Sequence, residues 1–107
     1  MKRQRPDPTS PAEIGARLAL TRRALGYTTT TMCRMMGSAS HGSTYSNYES
    51  GIRRISLDHA IELYRRCRLT LPWIYLGELD TLPADIRNKI LALLPNDGHV
   101  TNFKSRR

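Results

Sequence analysis

The sequence predicts an all-α fold of six short helices, and three observations carry this prediction. Apolar residues recur at the three- and four-residue spacing of one helix face over most of the chain. Capping residues and glycines separate these stretches. No stretch alternates between apolar and polar residues for long enough to indicate a strand, and no internal repeat is present. A chain of 107 residues has the length of a single domain.

The first helix is predicted to begin after Ser10. Ser10 is a good cap, Pro11 suits the first helical position, and Glu13 has the spacing of a capping box. Residues 1–9 combine basic residues and proline with almost no apolar residues, so they are predicted to form a flexible basic arm.

The first helix continues until Gly26, a residue type that commonly ends helices. The apolar residues at helical spacing are Ile14, Leu18, Ala24 and Leu25. Three arginines are expected on its other faces: Arg17, Arg22 and Arg23.

A second, short helix is predicted between Thr28, which can cap it, and Gly37. Four threonines, residues 28–31, suit a first turn better than a helix interior, because β-branched side chains lose rotamer freedom in the interior. Its apolar residues are Met32, Cys33, Met35 and Met36.

A third helix follows the polar turn 38–42 and is apolar on one side only. Its apolar residues, at three-to-four spacing, are Tyr45, Tyr48 and Ile52. Around them stand the polar residues Ser43, Thr44, Ser46 and Asn47. Gly51 offers the left-handed conformation in which helices often end.

Three further helices are predicted in the second half of the chain. Ser56 can cap the fourth, residues 71–77 predict the fifth with Pro72 in its first turn, and Thr81 can cap the sixth before Pro95. The apolar stripe of the fourth helix is predicted at Leu57, Ala60, Ile61, Tyr64 and Cys67. That of the sixth is predicted at Leu82, Ile86, Ile90, Leu93 and Leu94. Residues 96–107 are predicted to be a flexible tail.

The composition is strongly basic. Seventeen Lys and Arg face nine Asp and Glu, for a net charge of +8. This charge attracts polyanions, but it does not choose among nucleic acid, an anionic membrane surface and an acidic protein. Fourteen of the seventeen cations are Arg, which suits phosphate and guanine recognition, although a preference for arginine codons explains the excess equally well.

Several classes of function lack support in the sequence. Cys33 and Cys67 have no CxxC motif or His partner at ligand spacing, so we expect two buried small side chains and no metal site. No apolar run approaches the roughly 20 residues that span a bilayer, which predicts a soluble, cytoplasmic protein without membrane contact. No catalytic motif or phosphate-binding loop is present, and we therefore expect neither an enzyme nor a cofactor.

Two strings of residues resemble one known family. STYSNYESGIRRIS, residues 43–56, resembles the lambda-repressor-like, Cro-type helix-turn-helix family, often labelled XRE, in which Tyr-Glu-x-Gly and a basic pair follow a Ser/Thr-rich recognition helix. LPWIYLGE, residues 71–78, is similar to the fifth helix of that family. The resemblance runs from Ile14 to Gly77. It implies a five-helix DNA-binding domain over residues 10–80, with an additional C-terminal helix over residues 81–95.

Glu49 is a charge beside two tyrosines in a segment otherwise suited to packing, and such a charge needs a partner. In the family the equivalent Glu pairs with an Arg near the end of the first helix, which corresponds to Arg22 here. The resemblance thus implies a structural ion pair between Arg22 and Glu49. An ordinary exposed Glu is the alternative.

The sequence departs from the family at three points. Thr29 stands where members usually have a Gln that binds phosphate, and Gly42 stands where they often have a long amide side chain. The turn before the third helix is two residues longer. Without this insertion Ser43 and Ser46 would point inward, whereas with it the inward positions go to tyrosines, and burial favours the insertion.

Polar residues near the amino end of the third helix are the candidate base contacts, because such a helix fits the major groove. They are His41, Ser43, Thr44 and Asn47. Asn47 is the best of them, since a carboxamide can form two hydrogen bonds with adenine. Ser43 and Thr44 could equally be caps or phosphate contacts, and His41 could be a cap, a phosphate ligand or simply exposed. We assign His41 no catalytic or metal role.

Cations near this helix are the candidate phosphate contacts. With Thr29, they are Arg53 and Arg54. A solvated basic loop is the alternative for the two arginines. The arm residues Lys2, Arg3 and Arg5 could enter a minor groove or have no role in binding.

The resemblance implies a bacterial or phage transcriptional regulator that binds double-stranded DNA, with repression favoured over activation. Two-fold pairing usually supplies specificity in such proteins, and the sixth helix offers a surface for a homodimer, although packing on its own core explains its stripe equally well. The rival reading is an antitoxin-like or adaptor protein that uses the same fold to bind a protein partner, with residues 99–107 as the partner segment.

Overall fold

The structure is a computed structural model that describes residues 6–40 and 42–94. Over these residues all of the regular secondary structure is helical and there is no strand, so the predicted all-α class is confirmed. The α-helices are α1 (Pro11–Leu25), α2 (Thr29–Met35), α3 (Ser43–Glu49), α4 (Leu57–Cys67) and α5 (Ala84–Leu93). A π-helical segment (Pro72–Leu76) and a 3₁₀ turn (Leu79–Thr81) lie between α4 and α5.

Three of the predicted caps are confirmed. Ser10, Thr28 and Ser56 each have extended backbone, and each hydroxyl oxygen accepts a hydrogen bond from the backbone N–H three residues later, at 3.1, 3.1 and 3.2 Å respectively. These bonds satisfy amides that the first turn of a helix leaves free. At the other end, Gly26 ends α1 as predicted, and it does so in the left-handed conformation, with φ of 74°.

The predicted cap at Thr81 is wrong. Its hydroxyl donates to the Glu78 carbonyl at 2.7 Å and lies 2.6 Å from the Thr70 hydroxyl, so it closes the 3₁₀ turn and does not begin a helix. The last helix, α5, begins at Ala84, directly after Pro83. The predicted fifth helix is the π-helical segment, and it ends as expected at Gly77, with φ of 75°.

The core lies between α1 and the helices that pack on it, principally α3 and α5. Gly15 allows α1 to approach α3 closely, because a Cβ atom there would lie 2.4 Å from the Tyr48 carbonyl oxygen. Trp73 is fully buried, and its indole N–H donates to the Thr21 hydroxyl at 2.9 Å. The π-helical segment is thereby attached to α1.

Arg17 is buried, which corrects the expectation that it lies on an outer face of α1. Its Nε and Nη2 atoms donate to the Ile74 carbonyl at 3.2 and 2.9 Å, and Nη2 also donates to the Pro8 carbonyl. Burial lowers the pKa of Arg17 to about 10, so the guanidinium remains charged at neutral pH. Arg17 therefore connects α1 to the π-helical segment and to the residues before α1.

Two residues of the predicted arm, Pro8 and Thr9, accept hydrogen bonds from the domain. Besides the bond from Arg17 to Pro8, the Thr9 carbonyl accepts a hydrogen bond from Nε of Arg54 at 2.7 Å. Pro8 and Thr9, at the end of the predicted arm, therefore contact the domain, and the flexibility of residues 1–9 stays a prediction. Residues 1–5, His41 and the predicted tail 96–107 lie outside the described residues.

The predicted stripe of α4 is divided between two faces. Ala60 and Cys67 are buried, together with Leu63, which the prediction omits, whereas Leu57 and Tyr64 are 57% and 53% exposed. Ile61, between the latter two, is half-buried. Ile52, also predicted to be a packing residue, is 68% exposed and lies in the loop after α3.

The stripe predicted on residues 81–95 lies against the chain's own core. Leu82, Ile86 and Ile90 are buried, and Leu93 and Leu94 pack partly against the same cluster. Of the two alternatives for this stripe, the structure contains the intramolecular one.

Cys33 and Cys67 are free and buried, as predicted. In the described part of the chain, no helix has the length and apolar character needed to cross a membrane.

Candidate nucleic-acid interface

The register of α3 separates a packing face from a polar face. Tyr45 is fully buried and Tyr48 is 4% exposed, while Ser43 and Ser46 are exposed and Asn47 is half-buried. This is the register that the longer turn predicts. The inward positions belong to the tyrosines, and short polar side chains occupy the outward face.

Hydrogen bonds hold both tyrosines in place. The Tyr45 hydroxyl donates to the Leu18 carbonyl at 2.7 Å, and the Tyr48 hydroxyl lies 2.8 Å from Nδ1 of His59 on α4. Burial raises the pKa of Tyr45 well above its usual value, which keeps its hydroxyl protonated as a donor. These bonds attach α3 to α1 on one side and to α4 on the other.

The amino ends of α2 and α3 meet at Gly42. A Cβ atom on Gly42 would lie 3.1 Å from Oγ1 of Thr29 and 3.2 Å from Oγ1 of Thr30, and the φ of 107° favours glycine. The absence of a side chain at this position is therefore a packing requirement. It brings Thr29, a candidate phosphate contact, beside the first turn of α3.

Ser40 caps α3 from within the turn, a role that the sequence did not reveal. Its hydroxyl accepts a hydrogen bond from the Thr44 backbone N–H at 3.2 Å and donates to Oγ1 of Thr44 at 2.9 Å. The turn contains two serines with capping ability, Ser38 and Ser40, so composition alone could not single out Ser40. Thr44 is half-buried, and its hydroxyl already takes part in this cap.

Ser43 and Asn47 are the predicted base-contact residues whose polar groups remain available. Ser43 is exposed. Nothing among the described residues hydrogen-bonds the Asn47 carboxamide, whereas the Asn47 backbone carbonyl accepts from the Ile52 N–H at 3.0 Å. Ser46, which is not among the predicted contacts, is exposed on the same helix.

The ion pair implied for Arg22 and Glu49 is present in the structure. Nε of Arg22 lies 2.7 Å from Oε2 of Glu49, and Nη2 lies 3.3 Å from Oε1, which makes the pair bidentate. The Glu49 hydrogen bond raises the pKa of Arg22. Arg22 also donates to the Tyr27 carbonyl at 3.3 Å. The pair joins the carboxyl end of α1 to that of α3 and restricts the angle at which α3 presents its outward face.

The loop after α3 carries two exposed arginines. Arg53 forms no hydrogen bond or ion pair with the described residues. Arg54 uses Nε to hold the Thr9 carbonyl, although its guanidinium has four further N–H groups. Both are candidate phosphate contacts, and the bond to Thr9 gives Arg54 a structural role as well.

Together these residues form a polar strip along α3. A seven-residue helix is about 10 Å long, with Thr29 beside its amino end and the arginine loop after its carboxyl end. The strip offers hydroxyl and carboxamide groups in its middle and cations at its end.

No group of three or more His, Cys, Asp or Glu side chains within residues 6–40 and 42–94 could hold a metal ion.

The chain matches no protein-family model, no curated protein and no solved structure.

Proposed function

We propose that this protein binds double-stranded DNA in a sequence-specific manner and regulates transcription, as a helix-turn-helix protein of the lambda-repressor-like kind. The observation that carries the proposal is the register of α3. Its two tyrosines are buried, whereas Ser43 and Ser46 are exposed and Asn47 is half-buried. A helix with such a face can enter the major groove and form hydrogen bonds with base edges.

Base recognition is assigned to Ser43, Thr44 and Asn47 on α3. Asn47 is the main reader, because its free carboxamide can donate to and accept from one adenine. Ser43 and Thr44 are shorter, and Thr44 shares its hydroxyl with the cap at Ser40. Asn47 is therefore expected to contribute most to discrimination between bases.

Phosphate contacts are assigned to Thr29, Arg53 and Arg54. Contacts of this kind set the position and orientation of a protein on the duplex and carry no sequence information directly. The net charge of +8 adds a long-range attraction to the same partner.

One module of this size covers few base pairs, so we propose that two copies bind together as a homodimer on a two-fold symmetric site. We favour repression because occupation of the duplex is sufficient to block transcription. Activation would also need a contact with the polymerase.

Selection of binding sites from random duplex DNA, followed by sequencing, tests the proposal directly. The expected result is an enriched palindromic consensus. Titration of that duplex against a scrambled one should show preference for the consensus, and binding should weaken with salt at a slope of roughly −0.9 per phosphate neutralised. An enriched pool without a consensus, or no binding at low salt, would contradict the proposal.

The arginine loop provides a sharper version of this test. Arg53→Ala should weaken binding to consensus and scrambled duplexes by the same factor and lower the salt slope by roughly one. Lys89→Ala, which removes an exposed cation from α5, is the matched control and should change neither quantity. Loss confined to the consensus duplex would mean that Arg53 reads bases.

A further inference from the structure

The outward face of α4 carries an apolar stripe that the rest of the described chain leaves open. Leu57 and Tyr64 are each more than half exposed, and Ile61 lies between them with part of its side chain in solvent. Spacings of four and three residues place all three on one side of the helix. Grouped apolar side chains on an otherwise charged surface are typical of a contact with another protein.

Two charged residues flank this stripe in an arrangement that is complementary to itself. Asp58 lies in the first turn of α4 and Arg65 lies in the last. At about 100° per residue, both project from the same side of the stripe. When two copies of α4 pack antiparallel about a two-fold axis near Ile61, Asp58 of each copy lies level with Arg65 of the other, on the same side of the helix pair.

The ion pairs within one chain permit this exchange of partners. Nη1 of Arg65 lies 3.5 Å from Oε2 of Glu62, and Nε of Arg66 lies 3.2 Å from Oε1 of the same carboxylate. Glu62 therefore keeps a cation when Arg65 turns toward the other copy. Since exposed pairs contribute little, the exchange costs little.

A groove beside the stripe provides room for a side chain of the second copy. It has a volume of about 500 Å³, and its lining includes Tyr64, Arg68, Leu82 and Pro83. The groove lies at the carboxyl end of α4. In the antiparallel arrangement, Leu57 of the second copy lies level with that end. An exposed leucine thus lies level with the apolar lining of this groove, Tyr64, Leu82 and Pro83, and the two-fold axis repeats the contact; Arg65 of the proposed ion pair lines the same groove.

We propose that the outward face of α4 is a homodimer interface, in which two helices pack antiparallel about Ile61 and two Asp58–Arg65 ion pairs close one side. This assignment builds on the proposed pairing of two copies and names the surface that pairs them. The proposed DNA-contact residues lie on α2, α3 and the loop after α3, outside the stripe. One helix pair buries less than the roughly 800 Å² per partner of a standard interface, so the expected Kd is roughly micromolar.

Sedimentation of the full chain over a range of concentrations, without DNA, measures this interface. The unmodified protein should dimerise, and Ile61→Glu should raise the Kd at least about tenfold, because it brings two like charges together at the axis. Tyr64→Glu, at a more exposed position, should have the same effect. Leu91→Glu makes the same kind of change at an exposed leucine of α5 and should leave the Kd unchanged.

Charge exchange tests the antiparallel geometry. Asp58→Arg and Arg65→Asp should each raise the Kd, because each places like charges opposite one another twice. The double variant should return to within about threefold of the unmodified Kd, since each ion pair is restored with reversed sign. A double variant as weak as the single ones would overturn the proposed arrangement. A monomeric unmodified chain, or a dimer insensitive to both glutamate variants, would overturn the interface.

Failure of the interface is distinguishable from failure of the proposed function. Ile61→Glu should still bind a duplex that holds one half-site as tightly as the unmodified chain does. A chain that dimerises through α4 but binds no duplex would refute the DNA proposal alone. A chain that is monomeric yet binds half-site DNA would refute the interface alone.

Discussion

Asn47 is half-buried on the outward face of α3, and none of the described residues hydrogen-bonds its carboxamide. Asn47→Ala should change the free energy of unfolding by no more than about 0.5 kcal/mol, the usual range for surface substitutions. It should cost roughly 1–3 kcal/mol of binding to the consensus duplex and relax the preference at one base pair per half-site. Thermal melts and titrations against consensus and scrambled duplexes measure the two effects. Equal weakening on both duplexes would show that Asn47 does not read a base.

Tyr48, the next residue, should behave in the opposite way. Tyr48→Ala removes a ring that is 4% exposed and should lower stability by roughly 3–5 kcal/mol, as for other buried aromatic residues. Tyr48→Phe is the matched control. It keeps the ring, loses only the hydrogen bond to His59 and should cost about 1 kcal/mol. If Tyr48→Ala did not change stability, the register of α3 would be wrong, and the assignments of Ser43, Thr44 and Asn47 as base contacts would fail with it.

The Arg22–Glu49 pair is shielded from solvent more than an ordinary surface pair, with side-chain exposures of 23% and 14%. Glu49→Ala should therefore lower stability by about 1.5–3 kcal/mol, as expected for a hydrogen bond to a charged group. Glu62→Ala, which removes the carboxylate from two exposed arginines, should cost no more than about 1 kcal/mol. Denaturant unfolding gives both values. Equal losses would mean that the pair with Arg22 contributes no more than a surface pair.

At the scale of elements, the contact between the amino ends of α2 and α3 depends on Gly42. Gly42→Ala adds a methyl group 3.1 Å from Oγ1 of Thr29, at a φ of 107°, and should cost roughly 1–3 kcal/mol of stability. Gly26→Ala is the control, because its φ is also positive, at 74°, but no atom lies within 4 Å of the added carbon. It should cost about 1 kcal/mol. Thermal melts showing equal losses would mean that crowding at Gly42 is relieved by a small shift of α2.

At the scale of the whole molecule, α5 is expected to be necessary for folding. A chain that ends at Asp80 lacks Leu82, Ile86 and Ile90, each of which contributes roughly 1.5–3 kcal/mol when buried. Their sum is comparable to the 5–15 kcal/mol that stabilises a typical domain. Circular dichroism during heating should show no cooperative transition. Leu91→Ala, on the exposed side of α5, should melt like the full chain, and a truncated chain with a normal transition would show that α5 is peripheral.

Local signals were sufficient to predict the helix boundaries where one residue determines the outcome. Ser10, Thr28 and Ser56 are caps because a hydroxyl oxygen three residues before a free amide can reach it in almost any surroundings. Thr81 carries the same signal, yet the Thr70 hydroxyl and the Glu78 carbonyl engage its side chain. A cap can thus be predicted from sequence only when no distant group competes for the same hydroxyl.

Side-chain directions differ in the same way, because the direction of a candidate-site residue such as Asn47 follows from its neighbours along the helix, whereas that of Arg17 in the core does not. The outward direction of Ser46 and Asn47 follows from their tyrosine neighbours, since a helix that buries residues 45 and 48 turns the two positions between them away from the core. The position of Arg17 does not follow from its neighbours. An arginine at the edge of an apolar stripe is normally solvated, and only the nearby Ile74 and Pro8 carbonyls make its burial favourable.

The sequence by itself determined the all-α class, most helix starts and the two faces of α3, because these depend on backbone capping and on the period of one helix. The tertiary structure decided which apolar stripe became core and which stayed on the surface. The stripe of residues 82–94 was buried against α1, and that of Leu57, Ile61 and Tyr64 was left at the surface, although both have helical spacing. Periodicity shows that a helix has an apolar face, but the position of its neighbours decides whether that face meets its own core or a second copy.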